Sequence, residues 1–245
     1  MKAFPFRRLV VPGLLLVLLT GTFATPTGRA VWVPAPPLRE VARYTFDGPA
    51  PWADTSGNGH TLTPVTGGNA TVIRTPRDGG QAVRFPPRCK GGKPCPRLVF
   101  RAAGTPALNP GARPLRYGAA VRLAPNRTSK GQNILQKGYS TEGSQYKLQI
   151  DGRSGHPSCA LVAGRAIHLA LARISVADDR WHTVECRRAG TELTVLVDGV
   201  TQGTTPVPAA LSVSNGRPLS IGGKSAYGDN DQYHGLLDDV WIAMG

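Results

Sequence analysis

Glutamate is scarce in this chain of 245 residues, where it occurs only as Glu40, Glu142, Glu185 and Glu192. No two of them have the spacing of the paired carboxylates that a retaining glucanase carries on one strand, as in E-x-D-x-E. The histidines His182 and His234 have no serine or cysteine nucleophile in a recognised context. The sequence therefore predicts that the protein is not an enzyme.

Long apolar runs are absent except near the N-terminus. There, residues 9–19 follow three basic residues and precede the small-x-small sequence Thr22-Phe23-Ala24. The run contains Pro12 and Gly13 and is shorter than the roughly 20 residues that a membrane-spanning helix needs. We therefore predict a signal peptide over residues 1–24, with cleavage after Ala24 or as late as Ala30, and a secreted protein.

Proline and small residues dominate residues 25–38, a composition that predicts an extended tether. The remaining residues, 39–245, are predicted to form one domain, because about 205 residues are enough to bury a sizeable core. The sequence contains no internal repeat that would divide this segment further.

Acidic residues of both kinds are few, 15 against 29 lysines and arginines, so the formal charge is +14. Loss of the three basic residues of the signal peptide lowers this charge by three, to +11. The cations are scattered singly or in pairs such as Arg187-Arg188, without a long run or interleaved aromatic residues. This pattern argues against nucleic acid as the partner and favours an anionic cell-wall polymer or acidic polysaccharide.

Four cysteines occur in a chain predicted to be secreted, which indicates disulfides. The Gly-Gly and Pro of the short CKGGKPC loop favour a bond between Cys89 and Cys95, which leaves Cys159 to pair with Cys186. Both of these lie in apparent strands, and we expect them to face each other across two neighbouring strands. A four-cysteine zinc site is the alternative, and the absence of C-x2-C spacing argues against it.

Strand-like runs separated by turns indicate an all-β fold, and 30 glycines and 22 prolines agree with it. The runs are Val41–Phe46, Ala82–Phe85, Leu98–Phe100, Tyr117–Leu123, Asn133–Gln136, Gln145–Ile150, Cys159–Val162, His182–Arg187, Leu193–Val197, Leu219–Ile221 and Leu237–Ile242. In Gln145–Ile150 polar and apolar residues alternate, which predicts one solvated face. Asp198-Gly199 is typical of a type I′ hairpin turn.

Several motifs carry a family resemblance. They are Tyr44–Gly48, Asp54–His60, Trp181–Val184 (W-H-x-V), Val197–Gly199 (V-D-G), Ile221–Gly223 (I-G-G) and Tyr233–Ile242, which follows F-x-G-x-I-D-x-V-x-I with one inserted residue. In this order the chain resembles a laminin G-like, concanavalin A-like domain over residues 41–243. The resemblance implies an antiparallel two-sheet sandwich, a jelly roll.

The same resemblance implies non-catalytic binding of an extracellular carbohydrate or protein through loops at one rim. No ligand-binding residue follows from the sequence. Two other functions remain open at this stage: a polysaccharide-acting hydrolase with an unrecognised site, and a structural component of the cell envelope.

The resemblance also implies a structural Ca²⁺ that joins the first strand, a glycine-rich loop and the last strand. Carried over by position, its ligands are Asp47, Asp54, Asn58 and Asp238, with carbonyls at Gly57 or Gly59 as possible additions. Oxygen ligands of this kind suit Ca²⁺. Alternatively, Asp54 and Asn58 cap a turn and Asp238 accepts hydrogen bonds from backbone amides.

Side-chain parity along the strands gives two further expectations. Asp238 has the parity of Val240 and Ile242, which predicts an inward-pointing carboxylate that needs a partner. His182 has the parity of Cys186, which predicts a packed, hydrogen-bonded histidine rather than a catalytic one.

Overall fold

The computed structural model describes residues 37–89, 94–228 and 230–245. The predicted signal peptide and nearly all of the predicted tether lie outside these residues. Ala35–Gly245 cluster into one compact unit. Among the residues described, no helix has the length and apolar character needed to cross a membrane.

The regular secondary structure of the described chain is almost all β-strand. In order they are β1 Arg39–Tyr44, β2 Thr63–Gly67, β3 Ile73–Arg77, β4 Gly80–Arg84, β5 Arg97–Ala102, β6 Leu115–Arg122, β7 Gly131–Tyr139, β8 Ser144–Asp151, β9 His156–Ala163, β10 Ala166–Leu171, β11 Trp181–Ala189, β12 Glu192–Val197, β13 Val200–Pro206, β14 Leu219–Ile221 and β15 Leu236–Met244. Three 3₁₀ turns interrupt the connections, at Pro106–Leu108, Pro125–Arg127 and Ser140–Glu142. The predicted all-β class is confirmed.

Two antiparallel sheets form the sandwich. The first has the order β13-β12-β11-β6-β15-β4-β3, and β1 also pairs with β15. The second has the order β10-β9-β8-β7-β14-β5-β2. Seven of the thirteen strand pairings join strands that are not consecutive in the sequence, as in the predicted jelly roll. This arrangement brings the start and end of the domain together, because β1 lies beside β15.

The core between the sheets is aromatic and aliphatic. Tyr44, Tyr117, Tyr146 and Tyr233 are fully buried there, and each hydroxyl donates a hydrogen bond to a backbone carbonyl, at 2.7 to 3.1 Å. These bonds remove the cost of burying a polar group, so tyrosine contributes apolar area without an unsatisfied hydroxyl.

The hairpin predicted at Asp198-Gly199 is confirmed. Val197 pairs with Val200, so the loop between β12 and β13 has two residues. Both have positive φ, 51° for Asp198 and 78° for Gly199, which is the conformation that a type I′ turn requires.

Both predicted disulfides are present. Cys89 bonds Cys95, and Cys159 bonds Cys186. The expected position of the second bond is wrong, however, because β9 and β11 belong to different sheets. Cys159 and Cys186 both point into the core and are fully buried. Their bond therefore links the two sheets through the core rather than two neighbouring strands.

A β-bulge corrects the expected orientation of Asp238. The register between β15 and β6 shifts between Asp238 and Trp241, and Asp239 has a φ of +44°. The extra residue lets both Leu237 and Val240 join the core, which a regular strand would not allow. Asp238 consequently lies on the other face of the sheet, where it binds Arg77 at 2.6 Å.

The polar face of β8 also differs from the expectation. Gln145 and Gln149 are 4% and 9% exposed rather than solvated. Gln145 donates to the carbonyl of Gly138, and Gln149 donates to Asp151 and Ser158. Hydrogen bonds within and between the strands thus replace the water that the alternation suggested.

Removing the disulfide across the core should cost more stability than removing the loop disulfide. The bonds close loops with sequence separations of 27 and 6 residues, so loop entropy predicts losses of about 3.5 and about 2 kcal/mol. Urea denaturation of Cys159→Ala/Cys186→Ala and of Cys89→Ala/Cys95→Ala measures both. Equal losses, or a larger one for the loop pair, would contradict this expectation.

Candidate functional site

The residues predicted to bind calcium have other partners in the structure. Asp54 accepts hydrogen bonds at Oδ1 from the amides of Arg43 and Ser56 and from the Ser56 hydroxyl, and at Oδ2 from the amide of His60. Burial alone would raise the pKa of Asp54, but these donors outweigh it and hold the pKa below its usual range. Asp54 therefore acts as a turn cap.

The other three residues are engaged separately. Asn58 donates to Ser56 and to the carbonyl of Glu40, and Asp47 accepts from the amide of Gln81 at 2.6 Å. Asp238 binds the guanidinium of Arg77, a cation supplied by the protein itself. In the described part of the chain, no three histidine, cysteine or acidic residues are grouped as a metal site would need. Calcium binding by these residues stays a prediction.

Each glutamate is held by its own partners. Glu40 binds Arg43, Glu142 binds Arg217, Glu185 binds Arg116 and Arg187, and Glu192 accepts from Thr194.

His182 is hydrogen-bonded between two carboxylates. Its Nδ1 lies 2.7 Å from Asp198 and its Nε2 lies 3.0 Å from Asp178. Burial lowers the pKa of His182, but the two carboxylates outweigh it, so the pKa is raised overall. The predicted packed, hydrogen-bonded role agrees with this geometry.

A different set of residues forms a concave surface at one end of the sandwich. Between β14 and β15 the chain crosses from one sheet to the other, and His234 lies buried in this crossing. Its Nδ1 lies 2.8 Å from the carbonyl of Pro86, and its amide donates to Gln132 at 2.9 Å. Gln132 in turn donates to the carbonyl of Arg127. One buried glutamine therefore joins the segments that carry His234 and Arg127.

Gln232 anchors the same crossing to the second sheet. Its Oε1 accepts a hydrogen bond from the amide of Leu98 at 2.9 Å, and its Nε2 donates to the carbonyl of the same residue at 3.0 Å. The adjacent Asn230 is 1% exposed and donates to Ser225 and Gln232. Its Oδ1 accepts no hydrogen bond from any residue that the structure describes.

Three neighbouring cavities lie at this crossing, two of them lined by His234, and we call the surface that they form the His234 rim. The first, of about 330 Å³, is lined by Arg84, Arg122, Ala124, Asn126, Arg127, Asp179, His234, Gly235 and Leu236. The second, of about 260 Å³, is lined by Arg88, Arg97, Ser129, Lys130, Gly131, Arg153, Asn230, Asp231, Gln232 and His234. The third, of about 250 Å³, is lined by Asn69, Ala70, Thr71, Ile73, Arg84, Phe85, Pro86, Pro87, Pro96 and Arg127. Shared lining residues make them contiguous: His234 joins the first two, and Arg84 and Arg127 join the first and third.

Cations outnumber carboxylates along this rim. Both carboxylates already have partners, since Asp179 binds Arg122 at 3.0 Å and Asp231 binds Lys224 at 2.7 Å. The remaining cations have no carboxylate within ion-pair distance among the described residues: Arg84, Arg88, Arg97, Arg127, Lys130 and Arg153. The rim is therefore an electropositive, polar surface.

The protonation of His234 reflects these charges. Burial is the main cause that lowers its pKa, and the positive charges of Arg97, Arg88 and Arg127 lower it further, although the hydrogen bond to Pro86 opposes them. Three arginines from separate segments thus act on one imidazole. The neutral histidine leaves the cationic character of the rim to the arginines and lysine.

Sequence reasoning did not find this site. The cations are separated by up to 69 positions, from Arg84 to Arg153, and look dispersed along the chain. The fold gathers them because β4, β5, β7 and the turn between β8 and β9 all reach the same end of the sandwich. The sequence carried one weak local signal of the site. Arg88 and Arg97 flank the two cysteines of the short loop, and the disulfide between these cysteines holds the two arginines close to each other.

Comparison with known proteins agrees with the sandwich. The chain belongs to the concanavalin A-like lectin/glucanases superfamily, whose family model matches residues 116–244. No curated protein matches the chain in sequence.

Several solved structures share the fold at low identity. The binding domain of Paraclostridial Mosquitocidal Protein 1 has a TM-score of 0.64 and 12% identity, over 83% of this chain and 48% of that one. Domain 4 of AbnA, an extracellular GH43 arabinanase from Geobacillus stearothermophilus in complex with arabinotriose, has a TM-score of 0.62 and 16% identity, over 85% and 93%. The binding domain of Botulinum neurotoxin DC in complex with SialylT has a TM-score of 0.59 and 12% identity, over 83% and 47%. This chain thus spans about half the length of the toxin binding domains.

The carboxylate pair around His182 predicts a pH-dependent contribution to stability. A histidine with a raised pKa in the folded state stabilises fully below its unfolded pKa, and this contribution is lost as pH rises through the folded value. We expect urea denaturation of wild type and His182→Gln to differ most near pH ~5 and least near pH ~8. His234→Gln should show the opposite trend, because the pKa of His234 is lowered. A His182→Gln deficit that grows with pH would contradict the assignment.

The calcium prediction is tested by thermal unfolding. If Asp47, Asp54, Asn58 and Asp238 bind Ca²⁺, excess calcium raises the melting temperature above its value in chelator, because the ion binds only the folded state. Asp238→Ala should abolish this difference. Equal melting temperatures in calcium and chelator, for both proteins, would leave the observed hydrogen bonds and Arg77 as the whole account of these residues.

Proposed function

We propose that this protein is a secreted, non-catalytic module that binds an extracellular carbohydrate at the His234 rim. The observation that carries the proposal is the set of three contiguous cavities, fixed by buried amides and lined by side chains able to hydrogen-bond hydroxyl groups. Binding sites combine concave shape, apolar surface and a few positioned polar groups. The rim has all three properties.

The third cavity supplies the apolar part. Pro86, Pro87 and Pro96 line it together with Ile73, which is 48% exposed. An apolar wall of this kind suits the C–H face of a sugar ring, while Arg84 and Arg127 at its edge can donate to ring hydroxyls. Similar folds are known in complexes named for arabinotriose and SialylT, which agrees with a carbohydrate ligand, and another is named for rat synaptotagmin II, a protein.

The engagement of the four glutamates supports a non-catalytic role. Three of them bind arginine, and Glu192 accepts from Thr194. None lines any of the three cavities of the rim. A glycosidase needs two carboxyl groups facing one bound sugar, and the lining of the rim offers only Asp179 and Asp231, each bound to a cation.

The test is a glycan array with the secreted protein, followed by titration calorimetry on the best ligand. We expect Arg84→Ala and Arg127→Ala each to weaken binding by about tenfold, the effect of losing one charged hydrogen bond. Arg39→Ala and Arg165→Ala are matched controls, because both arginines are exposed and each lies at the end of its sheet that is opposite to the rim. We expect them to bind as wild type does.

Two outcomes would contradict the proposal. Binding that survives the rim substitutions unchanged, or no binding to any glycan, would place the function elsewhere. Release of reducing sugar from a bound polysaccharide, abolished by changing one acidic residue, would identify a hydrolase instead.

A further inference from the structure

The two polar cavities of the rim, each with cations of its own, meet at a single residue, His234. The first cavity carries Arg84 and Arg127. The second carries Arg88, Arg97, Lys130 and Arg153. Like charges repel one another when they are brought together, so a surface of this kind gains stability when an anion binds between them.

The backbone segments that carry the cationic residues hold them in place, and ion pairs with carboxylates do not. Arg127 is the last residue of the 3₁₀ turn Pro125–Arg127, and its carbonyl accepts from buried Gln132. Arg97 begins β5 and lies two residues after a half-cystine. Because elements of the scaffold hold these residues, a ligand need not displace any carboxylate in order to reach them.

We propose that the ligand is an acidic polysaccharide whose anionic groups occupy both polar cavities, one on each side of His234. This inference rests on the proposed function and names the class of carbohydrate. The separation into two cationic cavities indicates a chain with repeated anionic groups rather than a single charged sugar. A sugar ring beside Arg84 and Arg127, at the edge shared by the first and third cavities, faces the apolar wall of the third cavity.

The experiment compares polymers that differ in one property. Polygalacturonate carries carboxylates, heparin carries sulfates as well, dextran is neutral, and poly-L-glutamate is anionic without sugar. We expect the intact protein to bind polygalacturonate or heparin and not dextran, with affinity that falls as salt rises. The stronger of the two acidic polysaccharides identifies the preferred anionic group.

Substitutions test the use of both cavities. Arg84→Ala/Arg127→Ala and Arg88→Ala/Arg97→Ala should each weaken binding of the long polymer by at least about tenfold and reduce its salt dependence. Monomeric galacturonate should bind far more weakly than the oligomer and should lose affinity with only one of the pairs. Arg39→Ala/Arg165→Ala is the matched control, which removes the same charge and should leave affinity within about twofold.

Each result bears on the inference. Equal binding of poly-L-glutamate would overturn it, because charge alone would then be recognised. Dextran binding that is lost in Arg84→Ala/Arg127→Ala would overturn the acidic class and leave the proposed carbohydrate function intact. Absence of binding to all three polysaccharides would count against both. Loss of affinity in only one double variant would overturn the use of two cavities.

Discussion

Passage of the chain between the two sheets is the constraint on which the rest of this structure depends. After β14, in the second sheet, the chain must reach β15, in the first, and its backbone groups lose their strand partners on the way. Buried glutamines supply the missing hydrogen bonds: Gln232 donates to the carbonyls of Gly222 and Tyr233, and Gln132 accepts from the amide of His234. Unpaired backbone groups would cost stability at each of these points.

The rim follows from this crossing. Phe85 donates its amide to the carbonyl of Gly235, so the end of β4 is fixed to the crossing as well. A side chain at Gly235 would collide with the carbonyl of Arg122, and so the strands approach closely only because glycine occupies this position. Structural hydrogen bonding and close packing thus determine where Arg84, Arg122 and Arg127 lie. The same contacts that close the sandwich position its cations.

Much of the fold was predictable from the sequence, and the parts that were not share a physical reason. Each of the eleven predicted runs overlaps a strand, whereas β2, β3, β10 and β13 were missed. All four are edge strands, and edge strands contact the core on little of their surface, so hydrophobic alternation is weak in them. β3, with the sequence Ile-Arg-Thr-Pro-Arg, even contains a proline, which an edge strand tolerates. The bulge at Asp239 was visible only as an inserted residue, and its effect on Asp238 required the structure.

The site was harder to predict because its residues are distant in the sequence and only the fold brings them close together. Motif positions can suggest ligands such as Asp54, but they cannot show that backbone amides already occupy its oxygens. In the same way, a dispersed arginine in the sequence carries no sign of the other arginines that the sheets bring beside it. The excess of cations over carboxylates was visible as net charge, although its location was not.

The two disulfides differ in their access to solvent. Cys159 and Cys186 are fully buried in the core, whereas Cys89 and Cys95 are partly exposed near Arg88 and Arg97. A thiol in solution must reach a sulfur atom in order to exchange with it. A mild reductant therefore reaches the bond between Cys89 and Cys95 more readily than the bond across the core. The disulfide beside Arg88 and Arg97, at the second cavity, is thus the accessible one, while the core shields the bond that joins the two sheets.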